Sequence, residues 1–166
     1  RRPADPAKKS STKYGITTPG AGPDAYDPRI PLNGHLLHQS GFTGKKITIA
    51  VLDAGFDGAD AIESLAPLRQ RGGIIATRNF VTGTDHVYDY HTHGTSVLSL
   101  LAGSLPGIIN GTAPGADYLL LRTEDDETEY PVEEDYWVAA AEFADSAGAD
   151  IITSSLGYFT FDDPQL

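Results

Sequence analysis

The sequence predicts an α/β fold, a parallel sheet with helices on both of its faces. Three observations carry this. Strand-like apolar runs alternate with helix-like amphipathic runs along the chain. The run Ile47-Thr48-Ile49-Ala50-Val51-Leu52 is β-branched and apolar with no polar alternation, the pattern of a strand covered on both faces. That run ends in Asp53, and a later helical run opens at His93. An acid at the carboxyl end of a parallel strand and a histidine at a helix start share one rim of an open sheet, where such folds place their chemistry.

Taken in order, residues 1–31 hold six of the eleven prolines, interspersed with Lys, Ser and Gly. They read as a Pro-rich arm, and 32–166 as the body of one domain. Residues 32–39 read as a short helix with Leu36 and Leu37 inward. A turn over 41–46 ends in Lys45-Lys46 and leads into the first strand. After Asp53, 54–58 is a loop and 61–68 a short helical run. A second strand covers 74–77, with Asn79, Phe80 and Val81 leaving it. Residues 83–90 form a polar loop. The helix from His93 ends near Gly103, with Val97, Leu98, Leu100 and Leu101 as its apolar face; Pro106 and Gly107 then break the chain.

The third strand is Tyr118-Leu119-Leu120-Leu121-Arg122, followed by an acidic loop over 124–129. Pro131 suits the first turn of a helix, with Glu133, Glu134 and Asp135 near the positive end of its dipole. Trp137, Val138, Ala141 and Ala144 mark that helix's buried side, and it ends by Gly148. The fourth strand is Ile151-Ile152-Thr153-Ser154-Ser155. A sheet buried on both faces is expected to continue beyond such a strand.

Composition narrows the function classes. Twelve basic and 23 acidic residues leave a net charge of −11, which argues against a nucleic-acid partner. With no cysteine there is neither a disulfide nor thiolate chemistry. No stretch has the length of a membrane span. An extracellular or periplasmic setting is compatible with all of this, and the Arg1-Arg2 start reads as a processed end.

Asp53-Ala54-Gly55 followed by His93-Gly94-Thr95 resembles the aspartate and histidine segments of subtilisin-like serine proteases. Ser154-Ser155-Leu156-Gly157 resembles that family's substrate-binding strand. Gly111-Thr112-Ala113-Pro114-Gly115-Ala116 resembles the turn before another core strand. The four segments come in the family's order, from about Thr43 to Gly157. The resemblance implies a subtilisin-like sheet, incomplete in this chain, and a serine endopeptidase working through an acyl-enzyme. It implies that Asp53 accepts from the Nδ1–H of His93 and that His93 acts as general base and then general acid. Ser155, Leu156 and Gly157 would bind an extended peptide as an added strand. Glu127 and Glu129, in the connection that forms the opposite edge of the cleft, would line it.

The one Gly-Thr-Ser in these residues, Gly94-Thr95-Ser96, belongs to the histidine segment; the family's separate nucleophile segment does not occur in them, and its oxyanion-hole asparagine would lie downstream of Gly157. The expected partner is therefore a carboxy-terminal remainder of the same protease supplying both, whether continuous or a separate chain. The chemistry needs no cofactor, while Asp57, Asp60 and the acidic loop leave a structural calcium open. Two other readings stand beside this one. His91-Thr92-His93 is also a metal-ligand spacing, which with Asp57, His86 and Asp89 points to a metal-dependent hydrolase. A non-catalytic relative that kept the fold as a binding protein is the other. Thr95 and Ser96 read as helix-supporting residues, and no Gly-x-Ser-x-Gly elbow surrounds Ser154 or Ser155.

Overall fold

The structure, a computed structural model, describes residues 27–128 and 130–157. Most of the expected 1–31 arm and Glu129 lie outside these. Four strands form a parallel sheet: β1 (Thr48–Asp53), β2 (Ile74–Asn79), β5 (Asp117–Arg122) and β6 (Ile151–Ser154), in the order β2-β5-β1-β6. A two-residue-per-strand hairpin, β3 (Ser104–Leu105) with β4 (Ile109–Asn110), turns at the Pro106-Gly107 break, where the sequence predicts no strand. The helices are α1 (Gly34–Gln39), α2 (Ala66–Gln70), α3 (His93–Ala102) and α4 (Val132–Ser146).

The strand β1 is central. It pairs with β5 along its full length, Asp53 opposite Arg122, and with β6 on the other side, Leu52 opposite Ser154. Alternate residues of the two innermost strands feed two separate cores. Ile49, Val51, Tyr118 and Leu120 pack with Leu68 of α2 and Leu98 of α3. Ala50, Leu52, Leu119 and Leu121 pack on the opposite face with Ala140 and Ala144 of α4. Helices therefore cover both faces, which is why β1 and β5 carry no polar alternation.

Four expectations need correction. Leu36 and Leu37 of α1 do not point inward; they are 52% and 59% exposed. This short helix is held by polar contacts instead: the His38 Nε2–H donates to the Thr112 carbonyl at 2.8 Å while Arg29 reaches His38 Nδ1. Val138 is also half exposed. The inward face of α4 runs through Glu133, Trp137, Ala140 and Ala144, a spacing of four, three and four, and Val138 lies a hundred degrees off it. Leu100 is similarly outside the apolar face of α3, which buries Gly94, Thr95, Leu98 and Ala102. Finally, Ile151 and Ile152 of β6 are exposed, although their run reads as a covered strand. Among the described residues β6 is one of the two edges of the sheet, β2 being the other.

Candidate active site

The carboxyl ends of β5, β1 and β6 lie side by side, so the segments that follow them share one rim. Asp53 closes β1 with its side chain fully buried. Its Oδ1 accepts the N–H of Ala54 at 2.8 Å, and its own carbonyl accepts the N–H of Thr123 at 3.1 Å. The first bond holds the carboxylate and the second holds the backbone that carries it. Burial pushes its pKa up, and the hydrogen bond and charge of His93 work against that rise.

His93 begins α3. Its Nδ1 lies 2.8 Å from Asp53 Oδ1 and 3.0 Å from Oδ2. Facing a carboxylate, Nδ1 is the protonated nitrogen and donates, which leaves the ring's basic lone pair on Nε2. The contact needs α3 to enter very close to the turn after β1. Gly94 makes that entry: its N–H donates to the Gly55 carbonyl at 3.0 Å, and a Cβ there would sit 2.4 Å from the same oxygen. Thr95 supports the helix, as its sequence position implies, by donating from Oγ1 to the Asp57 carbonyl at 2.7 Å.

His91 accepts the backbone N–H of His93 on its Nδ1 at 3.1 Å, and its own carbonyl accepts from Asp57. His86 pairs with Asp89 at 2.7 Å. Among the described residues no group of three or more His, Cys, Asp or Glu is placed to hold a metal ion.

Ser155, Leu156 and Gly157 leave the end of β6, next to the strand that ends in Asp53. The Trp137 indole N–H donates to Ser154 Oγ at 3.0 Å and ties this exit to α4. Beside it lies a groove of about 430 Å³ lined by Glu134, Trp137, Val138, Ser154 and Leu156. On the other flank, Glu127 is exposed in the acidic loop that follows β5. Asp125 organises that loop: its N–H donates to Oε1 of Glu133, a buried residue in the first turn of α4.

Sequence reasoning missed Arg122. It is 3% exposed, donates from Nε to the Ala54 carbonyl at 2.8 Å and stacks 4.0 Å over the Tyr90 ring. The available signal was a lone cation closing an otherwise apolar strand; that it lies opposite Asp53 is visible only in the strand register.

Asp53 and His93 thus form a hydrogen-bonded carboxylate–imidazole pair on the rim of a parallel sheet covered on both faces. The subtilase family model matches residues 44–165. Subtilisin E from Bacillus subtilis (strain 168) is 32% identical over 124 residues, covering 73% of this chain and 29% of that protein. Alkaline elastase YaB from Bacillus sp. (strain YaB) is 38% identical over 83 residues, covering 49% of this chain and 19% of its own length. Among solved structures, the MycP3 protease from the type VII (ESX-3) secretion system matches with a TM-score of 0.66 and 27% identity, over 83% of this chain and 38% of that one. Fervidolysin from Fervidobacterium pennivorans, described as a keratinolytic enzyme related to subtilisin, matches with a TM-score of 0.52 and 26% identity, over 69% of this chain and 17% of that one. The chain belongs to the subtilase family. It spans less than a third of the length of the subtilisin it matches.

Proposed function

We propose that this chain is the aspartate- and histidine-bearing part of a subtilisin-like serine endopeptidase. The observation that carries the reading is the paired contact of His93 Nδ1 with both oxygens of a buried Asp53. Asp53 fixes the tautomer, so Nε2 takes the proton of the attacking serine hydroxyl. The serine oxygen forms a bond to the scissile carbonyl carbon, and the resulting imidazolium is stabilised by the carboxylate behind it. His93 then returns the proton to the leaving amine as the peptide bond breaks. Water repeats the sequence to release the acyl group. Every group in this scheme is a protein side chain, backbone donor or water, so no cofactor enters the chemistry.

The nucleophile and the oxyanion donor come, in this reading, from a carboxy-terminal remainder that docks along β6. Its exposed Ile151 and Ile152 support this, as does the small share of the relatives that the chain spans. The substrate is an extended peptide laid along Ser155, Leu156 and Gly157, with the groove at Trp137 and Glu134 receiving one of its side chains. Glu127 faces it from the acidic edge. We place the enzyme outside the cytosol, secreted or periplasmic, acting on peptides or proteins without nucleic-acid or membrane partners.

The test is activity-based labelling of the assembled protease with a fluorophosphonate, paired with His93→Ala. Labelling should be lost and kcat should fall by about 10⁴ or more with little change in KM. This chain alone, refolded and free of other polypeptides, should hydrolyse nothing. Full activity in His93→Ala, or turnover by the isolated chain, overturns the reading.

A further inference from the structure

We infer that Arg122 is a positioning residue for the Asp53–His93 pair, clamping from behind the two chain segments that carry them. The inference rests on the roles proposed above for that pair. The two members lie forty residues apart in sequence. Their 2.8 Å contact therefore depends on how the turn after β1 sits against the segment entering α3.

Arg122 stands where those segments meet. Its Nε donates to the carbonyl of Ala54, the residue after Asp53. Its guanidinium lies 4.0 Å over the ring of Tyr90, three residues before His93. The segments touch directly there, since a Cβ on Gly55 would come within 2.6 Å of both His91 N and Tyr90 Cβ. One planar group thus bonds one segment and stacks on the other. The hydrogen bond goes to backbone, so Arg122 acts on Asp53 through the chain.

A merely space-filling role is a poor account of this residue. Burying a guanidinium is costly unless its charge and donors are met. Here Asp125 and Asp126 stand 3.6 and 3.8 Å from its Nη2, outside hydrogen-bond range but close enough to balance the charge. An aliphatic side chain would occupy the same position in β5 without that penalty. Only arginine offers a flat, permanently charged surface to the ring and a fixed N–H to the carbonyl at once. Lysine keeps the charge and loses the planar fork.

The experiment uses the whole protease containing this chain, with Arg122→Lys, Arg122→Met and Tyr90→Leu, and Arg78→Met as an exposed-arginine control. Turnover is counted per fluorophosphonate-titrated site, so that loss of folded protein does not count. In the same samples the downfield proton resonance of His93 Nδ1–H reports the Asp53 contact without requiring catalysis. We expect kcat to fall about 10- to 100-fold in Arg122→Met and Arg122→Lys, with KM within about threefold, as for a small misplacement of catalytic groups. The resonance should broaden or exchange faster. Tyr90→Leu, which keeps the buried charge and its bond to Ala54, should shift both readouts in the same direction by less, and it decides the matter if the Arg122 variants do not fold. Native kcat per site together with an unchanged resonance in Arg122→Lys and Tyr90→Leu overturns the inference. An inactive, unlabelled wild-type protein sinks the proposed function instead, and the resonance then still decides the role of Arg122.

Discussion

Gly94 is the position where a single methyl group tests the site's architecture most directly. A Cβ there would stand 2.4 Å from the Gly55 carbonyl oxygen, 2.8 Å from Phe56 Cε1 and 3.0 Å from Asp53 Cβ. The first of these is backbone, and it accepts the Gly94 N–H, so it cannot swing aside without losing its bond. Two effects oppose each other in Gly94→Ala. Alanine gains up to about 1 kcal/mol over glycine inside a helix. Overpacking a tight contact costs about 1–3 kcal/mol, and an immovable carbonyl places this case at the upper end. The net expectation is a loss of about 2 kcal/mol, or about 4–8 °C in Tm for a domain of this size. The catalytic loss should be larger in proportion. Displacing the start of α3 moves His93 off Asp53, and a shift near 1 Å costs about 100-fold in rate. Thermal melts and kcat measured on one preparation of the assembled enzyme test both parts. A Gly94→Ala protein with wild-type Tm and wild-type kcat would show that α3 enters with room to spare and refute the reasoning.

Further outcomes follow from the same geometry. His91→Ala removes an acceptor for the His93 N–H and should lower kcat by no more than about tenfold, far less than His93→Ala; equal damage from both, with zinc restoring a depleted sample, would favour the metal reading. Leu120→Ala, fully buried in β5, should cost about 2–5 kcal/mol by urea denaturation while leaving the pH optimum unmoved. Because burial raises the Asp53 pKa, the native state holds that proton more tightly than the unfolded chain does. Its contribution is present below the unfolded carboxylate pKa and is lost as pH rises through the folded value. Wild type should therefore lose stability relative to Asp53→Asn as pH rises through the carboxylate range, and a flat difference in urea midpoints would contradict this. The acidic edge should favour peptides with Lys over Glu two to four residues before the cut, several-fold at low salt and less at high salt. Changing Glu124, Asp126 and Glu127 to Gln, Asn and Gln should abolish the preference, and kcat/KM for the matched peptides measures it. Since Asp125 and Asp126 already face Arg122, the advantage should stay modest.

Much of the sheet was legible because its determinants are local. Thr48–Asp53 and Asp117–Arg122 are unbroken apolar runs ended by polar residues, and such a run has few alternatives to a buried strand. Asp53 and His93 could be named for the same reason, as each sits in a short motif at the end of an element. Positions whose environment comes from distant chain were misread. Leu36, Leu37 and Val138 are apolar by type, but which way each faces depends on what the helix packs against. Ile151 and Ile152 read as covered, and their exposure reflects the place of β6 in the sheet order, which no local pattern encodes.

What the sequence determined by itself was the alternation of strand and helix, and the two residue types that form a hydrogen-bonded acid–base pair. Tertiary structure alone decided that β1 lies between β5 and β6, and so that the acidic loop and Ser155-Leu156-Gly157 flank Asp53 on opposite sides. It also decided that Arg122 is buried opposite that aspartate, against Ala54 and Tyr90. The physical reason is that parallel pairing joins strands that are remote in sequence. Charge, bond and stacking partners then come from register, and register is set by the packing of whole faces, which no stretch of the chain specifies by itself.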